Sequence, residues 1–190
     1  MGSYLSIDVD YFNHTTSYQD KYSVENELGT LLNTCVRNNI PVIAVMNHQQ
    51  MLPYVDSSKA NSLINIDTHA DLTDSFVNFL DCGTWVSYVS WRKRGSYTWI
   101  RAQRGYKEGN CNRPFKWNTG TDWGSTEAIR HTTSINQFLL GDCVGVGLCM
   151  SPAYSFEEWV LIFRRLVKEF RIPYIKGDLT ENKRVNRSPR

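Results

Sequence analysis

The chain has 190 residues, 41% of them hydrophobic, and a formal net charge of +2. That size suits one domain with a full core, and without a block of like charge before the C-terminal end there is no argument for a nucleic-acid surface. Five cysteines, Cys35, Cys82, Cys111, Cys143 and Cys149, form no Cys-x-x-Cys pair, which speaks against a disulfide framework or a zinc ribbon and for a reducing, cytoplasmic setting.

Mean hydropathy is -0.42, no apolar run reaches the roughly 18 residues of a membrane span, and no signal-peptide pattern is present. Met1-Gly2 with Ser6 nominally fits a myristoylation signal, but Ser6 already belongs to the first strand pattern, so lipidation is not expected. Neither a membrane nor a nucleic acid is an expected partner.

In chain order, Tyr4 to Phe12 reads as a buried strand, and Tyr22 to Asn39 as a helix with Leu28, Leu31, Leu32, Cys35 and Val36 at helical spacing. Ile40 to Met46 is an apolar run of strand length ending at Asn47-His48, followed by a short helix or turn over Met51 to Val55. Leu63 to Ile66 is the next strand and ends at Asp67. Phe76 to Leu80 and Trp85 to Trp91 are aromatic segments without a clear period, and Tyr97 to Ala102 has strand character. Residues 104–134, rich in Gly, Asn and Thr, read as long loops, and Val144 to Met150 as another buried strand. Ser155 and Glu158 have the spacing of a capping box ahead of an apolar stripe of Phe156, Trp159, Val160, Phe163, Leu166, Val167 and Phe170. Ile172 to Ile175 is a short last strand, residues 1–178 form the domain, and residues 179–190 are a basic flexible tail.

Strands that are apolar throughout and alternate with helices predict an α/β fold, a three-layer parallel sheet with helices on both faces. Ligands of such sheets bind at the carboxyl ends of strands. Asp8 and Asp10, then His48, then Asp67, His69 and Asp71 all fall at that end. Alternate residues of an extended segment share a side, so Asp67-x-His69-x-Asp71 converges, as does Asp8-x-Asp10. Carboxylates buried at the end of an apolar run need a positive partner; no Lys or Arg cluster lies near either segment, which leaves a metal ion. Asp with His suits Mn, Zn or Fe better than Ca. Asp8, Asp10, Asp67 and Asp71 with His48 and His69 suffice for two divalent cations sharing carboxylates, an arrangement that activates water for hydrolysis.

Taken together, Ser6-Ile7-Asp8-Val9-Asp10, His48 after a strand and Asp67-Thr68-His69-Ala70-Asp71 resemble the metal motifs of the arginase–agmatinase–deacetylase superfamily. The closer resemblance is to the peptide arginase family, through Asn47 to Pro53, Asn65 to Leu72, Cys82 to Tyr88 and Ser151-Pro152. It implies an arginase-like sheet with two Mn2+ per chain. His48 and Asp71 would hold one, His69 and Asp10 the other, with Asp8 and Asp67 bridging. It also implies hydrolysis of the guanidino group of arginine in a peptide or protein, giving ornithine and urea. Three features depart from the pattern. Ser-x-Asp-x-Asp precedes Asp-x-His-x-Asp, as in a circular permutation. Gln49 and Gln50 stand where a second His or a Glu is usual, and Cys149 stands near the position of the acid that grips the guanidinium in arginases.

Catalytic assignments are Asp67, as a bridging carboxylate, and His14, a candidate proton shuttle beyond Asp10. Asp20, Glu25, Asp74 and Asp81 are further acids considered for the guanidinium, while His131 reads as a surface residue and Trp85, Tyr88 and Trp91 chiefly as core. The rival readings are hydrolysis of a small guanidino compound such as agmatine, a metal-dependent amide deacetylase, and a non-catalytic metal-binding module. The oligomeric state is not encoded in any of these motifs.

Overall fold

A computed structural model of the chain describes residues 2–14, 21–72, 80–101, 123–130, 135 and 142–176. Its centre is a seven-stranded sheet, parallel throughout. The strands are β1 (Gly2–Asp8), β2 (Val42–Val45), β3 (Ala60–Ile66), β4 (Ser96–Arg101), β5 (Ser125–Arg130), β6 (Cys143–Cys149) and β7 (Tyr174–Ile175). Their order is β5-β4-β3-β1-β6-β2-β7.

The helices are α1 (Lys21–Arg37), α2 (Leu52–Ser57) and α3 (Glu157–Glu169). A common crossover hand places connections that step one way along a parallel sheet on one face and those that step back on the other. The β1–α1–β2 and β6–α3–β7 connections step the same way, and α1 and α3 pack together with Leu5, Ile7, Val146 and Leu148 on one face. The connections β2–α2–β3 and β3–β4 step back. Their residues Met51, Val55, Trp85 and Val86 cover the other face with Tyr4, Val45, Leu63 and Tyr97. Among the described residues the second layer consists of a six-residue helix and 3-10 turns, with buried indoles packed among them.

Several expected elements change. The first strand stops at Asp8, and Val9–His14 winds into a 3-10 helix. Trp85–Tyr88 and Arg92–Arg94 are 3-10 turns. The expected loop over 104–134 contains β5, an edge strand paired with β4 from Ser96↔Ser125 to Arg101↔Arg130. Val36 and Phe156 leave their helical stripes for solvent, 63% and 57% exposed, while Ile162 joins the core. Ser155 does not cap α3. Its hydroxyl donates to the Met150 carbonyl at 2.9 Å, and the N-cap position is Phe156. That bond ties the start of α3 to the end of β6 instead. Segment 73–79 and the tail, residues 177–190, lie outside the described residues. Among the described residues no helix is long and apolar enough to cross a membrane.

Candidate metal centre

Strands β3, β1, β6 and β2 are successive neighbours in the sheet, and their carboxyl ends carry Asp67, Asp8, Cys149 and, two residues beyond Met46, His48. The chain leaves β1 toward one edge and returns to β3 on the other side, so the reversal that opens a crevice in a parallel sheet falls between the two acidic segments. Chain order does not matter to this geometry. β1 lies beside β3 whichever is synthesised first, and the Ile7↔Ile66 register sets Asp8 and Asp67 side by side.

The two acidic segments fold alike. Asp8 Oδ1 accepts the Asp10 N–H at 3.0 Å, and Asp67 Oδ1 accepts the His69 N–H at 2.8 Å. Each strand-end carboxylate thereby fixes the turn that presents the second residue of its own motif. Thr68 Oγ1 donates to the Asp10 carbonyl at 3.3 Å and links the two turns. Asp71 has φ +48°, a left-handed backbone that Asp tolerates better than most residues. Its carboxylate Oδ2 accepts the Trp85 indole N–H at 2.6 Å.

His48 is fully buried at the start of a 3-10 helix, His48–Met51. Gln50 fixes that helix, its Oε1 accepting the N–H groups of Met46 and Asn47 at 3.0 and 2.9 Å; this is the work done by one of the two glutamines that depart from the family pattern. Gly147 leaves room for the Met51 side chain against β6, since a Cβ there would stand 2.3 Å from Met51 Sδ. On the imidazole, Nε2 meets Ser6 Oγ at 2.7 Å. Nδ1 faces Asp71 Oδ2 at 2.8 Å, Asp67 Oδ2 at 3.1 Å and Asp8 Oδ2 at 3.4 Å. Yet Nδ1 has no hydrogen-bond partner of proper geometry, and neither does Asp10 Oδ1. A buried nitrogen ringed by three carboxylate oxygens could share a cation with them.

Asp8, Asp10, Asp67 and Asp71 are each at most 5% exposed. Ionised carboxylates cost roughly several kcal/mol each to bury unless paired. The cationic groups that meet them among the described residues are two imidazoles, His48 and His69, the latter 3.6 Å from Asp10 and 52% exposed. Burial, then the neighbouring Asp10 and Asp67, push the Asp8 carboxyl up to about 8. Burial likewise, then Asp71, hold Asp67 well above the carboxylate range. For His48 burial opposes the charge, but Asp71, Asp67 and Asp8 outweigh it and raise the imidazole well above its ordinary value. His69 rises to about 9, chiefly through Asp10.

Among the described residues, three sets of donor atoms each converge within 4.8 Å: His48 with Asp67 and Asp71, Asp10 with Asp67 and His69, and Asp8 with His48 and Cys149. The cluster can hold a metal ion, and Asp67 belongs to two of the sets. All six residues expected as ligands from the sequence therefore lie together. The side chain of His14, like Asp20, Asp74 and His131, lies outside the described residues. Glu25 pairs with Arg165 on the helical face, and Asp81 Oδ1 accepts the Gly83 N–H in its own turn.

The supporting residues were less visible in the sequence. Trp99 Nε1 donates to the Asp67 carbonyl at 2.9 Å, Tyr97 Oη to the Ala70 carbonyl at 2.5 Å, and Ser151 Oγ to Asp8 Oδ2 at 2.5 Å. Asn65 Nδ2 reaches Asp67 Oδ2 at 3.4 Å. Trp85, read mainly as core, is both core and the Asp71 partner.

These shifts predict how the metal-free protein responds to pH. A carboxyl raised in the fold, such as Asp8, keeps its proton while the unfolded chain loses one above its ordinary 3.8. Stability then falls as pH rises toward 8. An imidazole raised in the fold, such as His69, contributes stability below its ordinary 6.5 that is lost as pH rises through about 9. Both effects have the same sign. In excess chelator, thermal unfolding should move to lower temperature steadily from about pH 4 to pH 9, and a saturating divalent cation should reverse the trend, because ligands bind metal in their deprotonated forms. A flat profile in chelator would show that the carboxylates are not crowded as described.

No protein-family model matches the chain, and the searches of curated proteins and of solved structures return no match.

Proposed function

We propose that the protein is a binuclear metal hydrolase of carbon–nitrogen bonds, with the guanidino group of a peptide-borne arginine as its substrate and two Mn2+ as its cofactors. The observation that carries the metal half is His48 Nδ1, buried, without a hydrogen-bond partner and ringed by three carboxylates. The guanidino half rests on the resemblance of the motifs to peptide arginases. The arginase-like, permuted fold is part of this reading, supported by the adjacency of β1 and β3.

His48 and Asp71 would hold one cation and Asp10 and His69 the other, with Asp8 and Asp67 between them. Two cations held there would supply a water acidified enough to act as a nucleophile at neutral pH. The chain's own residues do the rest. Ser6 on Nε2 orients the His48 ring, and the Trp85 indole and the Asp71 backbone aim that carboxylate. Such outer partners fix ligands in place before metal arrives. Burial of Asp8, Asp67 and His48 excludes bulk water from the inner side, while half-exposed His69 marks the side from which substrate enters. A proton for the departing amine is assigned to His14, on the 3-10 helix that follows β1.

Reconstitution with Mn2+ followed by elemental analysis should give about two ions per chain, and arginyl peptides should then release urea. Two ions without urea would leave a metal protein of another activity; one ion with deacetylation of an acetyl-lysine peptide would favour the amide-hydrolase rival.

A further inference from the structure

We propose that Cys149 is a metal ligand beside His48, and that its sulfur makes this position select a thiophilic cation such as zinc over manganese. The inference rests on the cluster being a metal centre and changes the metal expected at one of its two positions.

Cys149 ends β6, the strand between β1 and β2. Its register partners are Asp8 on one side and Val45 on the other, so its side chain stands between the ends of the strands that deliver Asp8 and His48. It is fully buried. Its sulfur, an Asp8 oxygen and a His48 ring nitrogen lie within 4.8 Å of one another. Donors about 2.0–2.3 Å from a shared zinc stand roughly 3.3–3.8 Å apart, so the three need only small movements to share one ion. The second observation is His48 Nδ1, buried 3.4 Å from Asp8 Oδ2 and without a hydrogen-bond partner.

The surroundings of the sulfur suit this role. Ser151, at φ +41°, donates to Asp8 Oδ2 at 2.5 Å and lies 3.2 Å from Cys149 Sγ, so one hydroxyl positions two donors of the set. The other contact of the thiol is a long one, 3.8 Å to the Met46 carbonyl. Thiolates favour Zn and Co over Mn, whereas the carboxylate-rich set of Asp10, Asp67 and His69 suits Mn. On binding, the thiol proton passes to solvent as the sulfur–metal bond forms, and chelation reverses both changes.

The test uses the full chain loaded with Co2+, whose sulfur-to-cobalt charge-transfer absorption in the near ultraviolet reports a thiolate ligand without any assay of activity. The wild-type protein should show that band. C149S should bind cobalt and keep the weak visible bands but lose the charge-transfer band, while C82S, altered at the nearby half-buried cysteine, should retain it. The preference for Zn2+ over Mn2+ should fall about tenfold or more in C149S. Zinc-edge X-ray absorption of the wild-type protein, which finds sulfur in the shell or does not, decides the matter even if C149S fails to fold. Bound cobalt or zinc without a sulfur signal overturns the proposal and leaves the metal centre standing, as does a band lost in C82S rather than C149S. Failure to bind Co2+, Zn2+ or Mn2+ at all overturns both.

Discussion

Asp67→Ala should leave a folded protein that holds neither cation, with urea release reduced by at least about three orders of magnitude, or roughly 4 kcal/mol of transition-state stabilisation. The reason is its double membership. Asp67 converges with His48 and Asp71 on one side and with Asp10 and His69 on the other, so its loss weakens both positions at once. Asp71→Ala removes a donor from one set and should leave close to one ion per chain. Asp8 falls in one set, with His48 and Cys149, so the expectation that Asp8→Ala also loses both ions rests on the bridging role the resemblance implies and on its place beside Asp67 at the ends of β1 and β3. The contrast with Asp71→Ala is what separates a shared carboxylate from a merely important one.

Stability distinguishes a ligand from a structural cap. Asp67 Oδ1 accepts the His69 N–H, and loss of such a cap costs about 0.5–2 kcal/mol. Asp67→Asn keeps an acceptor in place while removing a carboxyl whose ionisation burial and the neighbouring Asp71 make costly. In chelator, Asp67→Asn should therefore unfold at a higher temperature than the wild-type protein, and with metal at a lower one. If Asp67→Asn were less stable in chelator as well, or if Asp67→Ala kept its activity, the carboxylate would be a turn-former and the two-ion reading would fail.

The clustering of the six residues was legible because an apolar run that stops at Asp8, at Asp67 or shortly before His48 delivers them to the carboxyl edge of the sheet. The way they converge was not, since Asp10 and His69 are presented by turns and His48 by a 3-10 helix rather than by the period of an extended strand. Their supporting residues depend on sheet order, which local patterns do not encode. Trp99 and Tyr97 serve Asp67 and Ala70 because β4 pairs with β3, and Ser151 reaches Asp8 because β6, late in the chain, inserts between β1 and β2. Ser6 had a usable signal, since it shares a strand face with Asp8 and Tyr4. β5 was hidden for a different reason. An edge strand need bury only one side of itself, and Ser125-Thr126-Glu127-Ala128-Ile129-Arg130 has too few apolar residues to stand out from a polar neighbourhood. The Ser155–Glu158 spacing misled because the Ser155 hydroxyl found the nearer Met150 carbonyl.

Urea release from arginine within a peptide should exceed that from free arginine or agmatine by at least about tenfold in kcat/KM. Part of the motive is the resemblance to peptide arginases; the other part is the shape of the site. Its inner wall is closed by His48, Asp8, Asp67 and Trp85, each at most 3% exposed. Among the described residues its outer side is not closed in the same way. The His69 side chain is 52% exposed, and Tyr154, whose ring meets that imidazole edge-on at 6.3 Å, is 58% exposed. Among the described residues, two of the acids considered for gripping a substrate have partners of their own, Glu25 with Arg165 and Asp81 through one carboxylate oxygen in its own turn. Free arginine would then find the reacting centre but few groups for its α-amino and carboxylate ends. A peptide can lie along the open side and use remote contacts to hold the guanidinium in register, and binding energy of that kind aids the chemical step as well as association. Kinetics with free arginine, agmatine and a panel of arginyl peptides on one preparation would decide. If free arginine or agmatine gave the higher kcat/KM, the open side would have no role in binding, and the small-guanidine rival would replace the peptide reading without disturbing the metal centre. Tyr154→Ala sharpens the comparison. It should raise KM for the peptides several-fold while leaving free arginine nearly unchanged, because the ring flanks the entrance rather than the ligands.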